Sequence, residues 1–353
     1  MKKFLTIISL LLISLLIFNC SQTGQNLGSA NAKSDKRPVW MDNPHKLYPD
    51  SKYLVAIGAG DTRQDAENIA AGNLSRIFES KVKVDHTMKE RYKSLSKGTE
   101  FVSEELTTES NENVNIKSDQ SLVNVKFGKS YIDKMARIHV LAYLNRAETA
   151  SIYAGKINTA NNQILYFSDK SEKSNDILEQ YAYLNAAMIL SLNNKMLLDQ
   201  LQVISHADYK VINANKGYDH NEIKNMVSDL AQKITFSVNI KNDPDDRVKV
   251  LLEEIIGELS FNLSNDPILN IDGKVSYEDL DLQRGNLKFV GWELNIKMTN
   301  NADDVLITIV EKGREGGLDN AGAKRNAVKQ IGKIINKKFK KQLTGYFDGK
   351  VVK

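Results

Sequence analysis

The stretch KYLVAIGAGDTRQDAENIAAGNLSRIF, residues 52–78, decides the fold. Lys52 to Ala59 is apolar and rich in residues that suit an extended chain, and Gly58 and Gly60 bound it, the pattern of a short buried strand. Thr62 follows with Asp65 three residues on, a pairing that satisfies free amides at a helix start. Ala66, Ile69, Ala70, Leu74, Ile77 and Phe78 then recur at helical spacing. Small residues dominate that face, so the helix is expected to lie close on a sheet. Gly58-Ala-Gly60 stands where a nucleotide-binding loop would stand. That fingerprint needs glycine at position 63, which is Arg63, and no GxxxxGK[ST] occurs. A tight turn is the expected use.

Downstream, Lys81 to Val84 begins an alternating strand, and Glu90 to Gln120 is polar and reads as a hairpin arm or a helix. Leu122–Phe127 and Ile138–Leu144 alternate as strands, with Gly128 to Arg137 turning between them. Arg146–Phe167 and Asn175–Ile204 carry apolar residues at three- and four-residue spacing and predict an antiparallel helical hairpin. A second unit starts near Lys233. Ile234–Ile240 is a strand, and Asp243-Pro-Asp-Asp246 is expected to open a helix running to about Leu263, acids first. Strands follow at Ile268–Ile271, Val275–Leu282, Phe289–Met298 and Val305–Val310. Gly313, Gly316 and Gly317 punctuate before a last helix from about Asn320 to Tyr346. Leu306-Ile-Thr-Ile309, its glycines, Ala323 and Ala327 faintly echo Leu54-Val-Ala-Ile57, its glycines, Ala66 and Ala70.

Upstream, Lys2 and Lys3 precede an uncharged run from Phe4 to Phe18, too short to span a bilayer and close to the apolar region of an export signal. The run ends at Asn19-Cys20. Cys20, the chain's one cysteine, stands where a bacterial lipoprotein precursor carries its acceptor thiol. Ile17 fits the branched aliphatic of that cleavage motif, whereas Phe18 and Asn19 depart from its small residues. An uncleaved anchor and a plain signal peptide are the other readings of this run. A diacylglyceryl thioether with an added N-acyl chain would hold a globular domain on a membrane at roughly 0.8 kcal/mol per buried methylene. Ser21, rather than an aspartate, resembles the enterobacterial signal for the outer membrane. Residues 21–36 are polar, lack aromatics and read as a flexible tether. The expected organisation is therefore a signal peptide over 1–19, a tether over 20–37, an α+β domain over 38–146, a helical hairpin or linker over 147–232 and a second α+β domain over 233–347. The fold class is α+β, two sheet-plus-helix units separated by the hairpin.

Composition agrees with a globular chain. Of 353 residues, 41% are hydrophobic and 26% charged, which excludes disordered, collagen-like and multi-span membrane proteins. A single cysteine excludes an internal disulfide, a multi-cysteine zinc site and an iron–sulfur cluster. Lys and Arg total 48 and Asp and Glu 44, and cleavage before Cys20 removes Lys2 and Lys3. The formal charge then falls from +4 to +2, too little to argue for a polyanionic partner.

Motifs of catalysis are sparse. His45, His86, His139, His206 and His220 are too far apart for a helical metal pair. Asp243, Asp245 and Asp246 lack the spacing of a calcium loop and read as helix capping. Neither GxSxG nor HExxH occurs. The last helix is the most pointed feature. Lys324, Arg325, Lys329, Lys333, Lys337, Lys338, Lys340 and Lys341 are basic, with no acid between Asn320 and Phe347. At ~100° per residue most share one broad face, opposite Ala327, Ile331, Ile335 and Phe339. Such a face is either simply solvated or touches anionic lipid, a cell-wall polymer or an acidic partner; Lys329, Lys333, Lys337, Lys340 and Lys341 are the candidates. Nucleic acid is not expected as a partner.

Pro38-x-Trp40, Pro44, Tyr53, Gly58-x-Gly60, Ala66, Ala70, Leu74 and Phe78 together resemble the opening of the LPP-twenty family of bacterial envelope lipoproteins. Leu122-Val-Asn-Val125 and Leu141-Ala-Tyr-Leu-Asn-Arg146 are similar to that family's later strands. The resemblance covers about Pro38 to Gly155 and leaves out the second unit. It implies a non-enzymatic lipoprotein associated with the outer membrane, binding other envelope proteins or itself. It implies no catalytic residue and no cofactor beyond the covalent lipid on Cys20. Some relatives form discs or rings around the flagellar motor, and others are surface antigens. Pro38, Trp40, Gly58 and Gly60 carry over as fold-defining positions, the glycines being expected to allow positive φ at the strand-to-helix turn. A flagellar or export assembly component is one alternative reading. An envelope hydrolase or ligand carrier, marked by a deep pocket with convergent carboxylates, is the other.

Overall fold

A computed structural model describes residues 37–78, 86–97, 122–284 and 286–352. Cys20, the tether, the expected strand at Lys81–Val84 and most of Glu90–Gln120 lie outside the described residues. The architecture is mixed α+β, with a three-stranded and a five-stranded sheet.

The chain enters through a one-turn helix α1 (Val39–Asp42) and a 3-10 turn at Pro44–Lys46. Strand β1 (Tyr53–Gly60) leads into helix α2 (Arg63–Arg76), whose first turn is capped by Thr62 Oγ1 accepting from the Asp65 amide at 3.1 Å. The two glycines do not serve the expected turn. Both lie inside β1, and neither has positive φ. Their reason is closeness: a Cβ on Gly58 would stand 2.2 Å from the Ala70 amide nitrogen and 2.3 Å from the Ala66 carbonyl. The helix backbone rests directly on the strand, which is why Ala66, Ala70 and Ala71 are small and fully buried.

Helix α3 (His86–Lys97) resolves the first part of the ambiguous polar stretch as helix. Strand β2 (Lys126–Ile132) starts later than expected and runs through Gly128, so the turn is only Asp133 to Arg137. Asn124, left-handed at φ 63°, breaks the extended chain before it. β2 and β1 both pair antiparallel with the central β3 (Ile138–Asn145). α2 covers one face of this sheet. Over the other lies Tyr48, its ring 4.8 Å from Tyr143 and 5.3 Å from Tyr53.

Helices α4 (Arg146–Lys173) and α5 (Ile177–Ile204) are 28 residues each, and the short bend between them makes them antiparallel. They do more than separate the units. Tyr153 and Ile157 of α4 and Leu198, Leu201 and Ile204 of α5 enter the first core. Ile164, Phe167 and the run from Leu178 to Leu190 enter the second. Arg146 locks the first end: its guanidinium donates to the Val203 and Ile204 carbonyls at 2.6 and 2.9 Å, where the α5 dipole is negative. Helices α6 (His206–Ala214) and α7 (His220–Lys233) follow, and α7 packs on α5.

The second sheet runs in the order β5-β4-β6-β7-β8. Its strands are β4 (Thr235–Lys241), β5 (Asn262–Leu263), β6 (Leu269–Arg284), β7 (Leu287–Asn300) and β8 (Val305–Gly317). Only β4 pairs parallel, with β5 and β6, across helix α8 (Arg247–Glu258). The acidic run does not itself form the first turn of that helix. Pro244–Asp246 is a 3-10 turn with Asp245 and Asp246 left-handed, and Asp243 reaches over it to accept from the Val248 and Lys249 amides at 2.8 and 2.9 Å. α8 ends before the expected Leu263, because Ser260 turns to φ 64° and drops Phe261 into the core. The two expected short strands at 268–271 and 275–282 are one strand, β6. Gly313, Gly316 and Gly317 lie inside β8 rather than in a loop. Gly317 repeats the logic of Gly58, since a Cβ there would meet the Ala323 amide at 2.3 Å.

The chain closes on helix α9 (Asn320–Ile334), a π turn at Ile335–Phe339 and helix α10 (Lys340–Val351). Phe236, Phe261, Phe347 and Tyr181 of the hairpin form one aromatic cluster, with centroids 4.7–5.7 Å apart. Beside it, Arg91 of α3 makes a two-pronged ion pair with Asp348, at 2.7 and 2.8 Å, tying residues 257 apart in sequence.

Gly58→Ala should destabilise the fold by roughly 3 kcal/mol or more, because backbone rather than a flexible side chain must move. Gly72→Ala, in the interior of α2 with nothing within 4 Å, should stabilise by about 0.5–1 kcal/mol. Urea unfolding of the two variants checks the contrast, and equal effects would refute it.

Candidate functional site

Pro38, Trp40, Gly58 and Gly60 are structural where they stand. Pro38 occupies the N-cap position of α1, Trp40 is buried, and the glycines seat α2. They form no cleft. The α2 N-terminus is closed by its own residues, with Thr62 Oγ1 donating to the Asp65 carboxylate at 2.6 Å.

His45, His139 and His220 stand apart from one another, each with its own polar partner. His45 lies 3.1 Å from Asp50 on the surface. His139 Nε2 is 2.8 Å from Asp133, whose carboxylate also accepts from the Met135 and Arg137 amides and so organises the β2–β3 turn. The His139 hydrogen bond is the main reason the Asp133 carboxyl sits below its usual range. His220 Nδ1 is 2.8 Å from the buried Ser191 hydroxyl, which donates to the Met188 carbonyl. Burial first, then Lys195 and Lys224, lower the His220 pKa. The Ser191 hydroxyl is sealed between helices, with no carboxylate behind the imidazole among the described hydrogen bonds. Among the described residues no group of three or more His, Cys, Asp or Glu side chains could hold a metal. No helix among them is long and apolar enough to cross a membrane.

Two concavities lie on the open face of the second sheet. Lys241, Asp272, Lys274, Glu293, Asn295 and Lys297 line one of them, and Glu293, Lys312 and Arg314 border the other. Both are shallow and open to water, and their charges alternate across the strands, with Asp272 opposite Lys297 and Glu293 opposite Lys312.

The last helix carries the distinct site. Its buried residues fall at every fourth position: Ala323, Ala327, Ile331, Ile335, Phe339, Leu343 and Phe347. In a continuous α-helix a four-residue step rotates the contact line by roughly 40°. Over this length the ridge would leave the sheet. The π turn at Ile335–Phe339 takes more residues per turn and offsets part of that drift, and the end of the ridge packs on the hairpin at Tyr181. The same register governs the opposite side. Arg325, Lys329, Lys333, Lys337 and Lys341 also recur at every fourth position, and all are exposed.

The remaining cations are held down at the flanks. Lys338 reaches Glu311 of β8, Lys340 reaches Glu258 of α8 at 2.9 Å, and Lys324 stands 4.0 Å from Asp279 of β6. Lys340, one of the candidate anionic contacts, is paired at the surface with Glu258. Arg325, left out of that expected set, belongs to the row. Strict four-residue spacing of both the apolar and the basic residues was the available signal, since it fits an α-helix only if a wider turn interrupts it.

No family model matches the chain, and no curated protein matches it in sequence. Among solved structures, the chain is similar to the secreted protein HP1454 from the human pathogen Helicobacter pylori. Identity is 12%, with 83% of this chain and 97% of that chain covered and a TM-score of 0.41. It is also similar to a minor lipoprotein from Acinetobacter baumannii, at 15% identity over 33% of this chain and 90% of that chain, with a TM-score of 0.21. Function rests on the residues above rather than on these distant likenesses.

The Asp133–His139 contact gives a pH test. A carboxyl whose folded pKa is lowered contributes stability above its unfolded pKa, and that contribution is lost as pH falls through the folded value. The protection of the Met135 and Arg137 amides relative to their intrinsic exchange rates should therefore fall in acid, and Asp133→Asn should remove this acid dependence. Unchanged acid sensitivity in the variant would show that another group controls the turn.

Proposed function

We propose that this chain is a lipid-anchored cell-envelope lipoprotein with a structural or protein-binding role at the outer membrane. One observation carries the reading: the only cysteine, Cys20, stands one residue beyond the uncharged run Phe4–Phe18 and precedes a polar stretch. The LPP-twenty-like segment supports it, and so does the architecture. The described α+β body begins near Pro38, about 17 residues beyond Cys20. Over about 17 residues the tether reaches at most ~60 Å.

Shallow concavities with interleaved acids and bases suit contact with another macromolecule better than enclosed chemistry on a small substrate. That favours a binding role over an envelope hydrolase. Assembly around a flagellar motor or export apparatus is a narrower version of the same reading and rests on family resemblance alone.

Cys20→Ser should abolish fatty-acid labelling, block globomycin-sensitive processing and shift the protein out of its membrane fraction. Unchanged processing and partition in the variant would overturn the anchor.

A further inference from the structure

We propose that the row Arg325, Lys329, Lys333, Lys337 and Lys341 docks the body onto an anionic phospholipid surface, as a second membrane contact beside the lipid on Cys20. The proposal rests on the anchored reading above. It adds the orientation of the body and the chemistry of the surface that it meets.

Three observations carry it. First, the row is unneutralised where its neighbours are not. Lys324, Lys338, Lys340 and Lys350 of the same C-terminal segment each have an acidic partner, at Asp279, Glu311, Glu258 and Asp176. No described acid lies within ion-pair distance of the five members of the row. The chain places no acid between Asn320 and Phe347, although it is nearly neutral as a whole. Like charges at four-residue spacing repel along a helix, so the row is a cost to folding by itself.

Second, the row is raised. Each of the five cations is exposed and stands two residues from a buried residue of the ridge, on the outward side of the helix, over a length of ~24 Å. The π turn offsets part of the rotation that four-residue spacing accumulates. Lys338 and Lys340 are drawn down to β8 and α8 on its flanks. A raised line of charge meets a planar array of phosphates along its whole length, whereas a small anion would need a pocket. The polar Asn326, Gln330 and Asn336 lie among the basic residues. The contact is thus electrostatic, without an inserted apolar wedge.

Third, the tether brings the surface within reach. A body held within ~60 Å of the bilayer meets headgroups at high effective concentration. Weak charge pairing then suffices to orient it, since each basic residue near an anionic surface strengthens binding roughly five-fold.

The test uses the full-length lipidated protein reconstituted on vesicles. Cys20 is acylated, so a cysteine introduced by Asn336→Cys, at an exposed position in the π turn, gives one labelling site. A fluorophore there reports approach to a headgroup quencher. Vesicles of phosphatidylcholine with phosphatidylglycerol should quench it, and phosphatidylcholine alone should not. Raised salt should reverse the quenching, because exposed charges more than about 10 Å apart are screened at moderate ionic strength. Changing all five row residues to Gln should reduce the apparent affinity for the anionic surface at least ten-fold. Changing Lys324, Lys338 and Lys340 to Gln should leave it near that of the parent.

Equal loss from the flanking set would mean that general charge, not the row, is read, and would overturn the proposal. So would quenching that ignores lipid charge, or a response only to soluble polyphosphate, which would assign the row to a phosphate polymer. Failure of the protein to float with vesicles of either composition would instead overturn the lipid anchor. The two readings therefore fail by different signs.

Discussion

The structure depends on the buried hairpin of α4 and α5. Each helix is long enough, at roughly 42 Å, to leave one core and enter the next. Tyr153 and Leu201 fill the first core, and Phe167 and Leu190 fill the second. Neither sheet has enough apolar cover of its own on the helical side. The first has α2 and the hairpin's first end; the second has α8, α9, α10 and the hairpin's other end. The two cores are thus joined by continuous helix rather than by loop. Arg146 at one end and the Tyr181 aromatic cluster at the other fix the hairpin against both sheets.

The same economy of contact explains the two strand-to-helix junctions. At each, a glycine in the strand lets helix backbone touch strand backbone: Gly58 under Ala66 and Ala70, and Gly317 under Ala323. A side-chain oxygen then caps the helix, from Thr62 in the first unit and Asp319 in the second. The faint sequence echo between the units is therefore a real likeness of local geometry. Close packing on glycine produces it wherever a helix must lie flat on a strand.

Much of the fold was legible in the residues. Alternation located β3, β4 and β7, and four-residue spacing located α2, α4, α5 and the last helix. Each misreading has a physical cause. Gly58, Gly60, Gly313 and Gly316 read as turns because glycine breaks regular structure by its own freedom. Here it is required inside strands by what packs against them. The early strand expected at Leu122–Phe127 failed at Asn124, whose amide donates to Thr149 while its backbone turns left-handed. The acidic opening of α8 was placed too early because Asp243 caps across a 3-10 turn rather than from the adjacent position.

What the sequence determined by itself was local: an α+β alternation and a last helix basic on one side. Those follow from residue order alone, since apolar runs, periods and charge need no third dimension. Which cations are free was decided only by the tertiary structure. Lys340 and Lys338 look like the rest of the row until Glu258 and Glu311 arrive from distant strands and helices to neutralise them. What the buried ridge packs against was decided there as well. α9 lies on β7 and β8, whereas Phe347 of α10 reaches Tyr181 of α5, because four-residue spacing walks round an α-helix and a single π turn offsets only part of that drift.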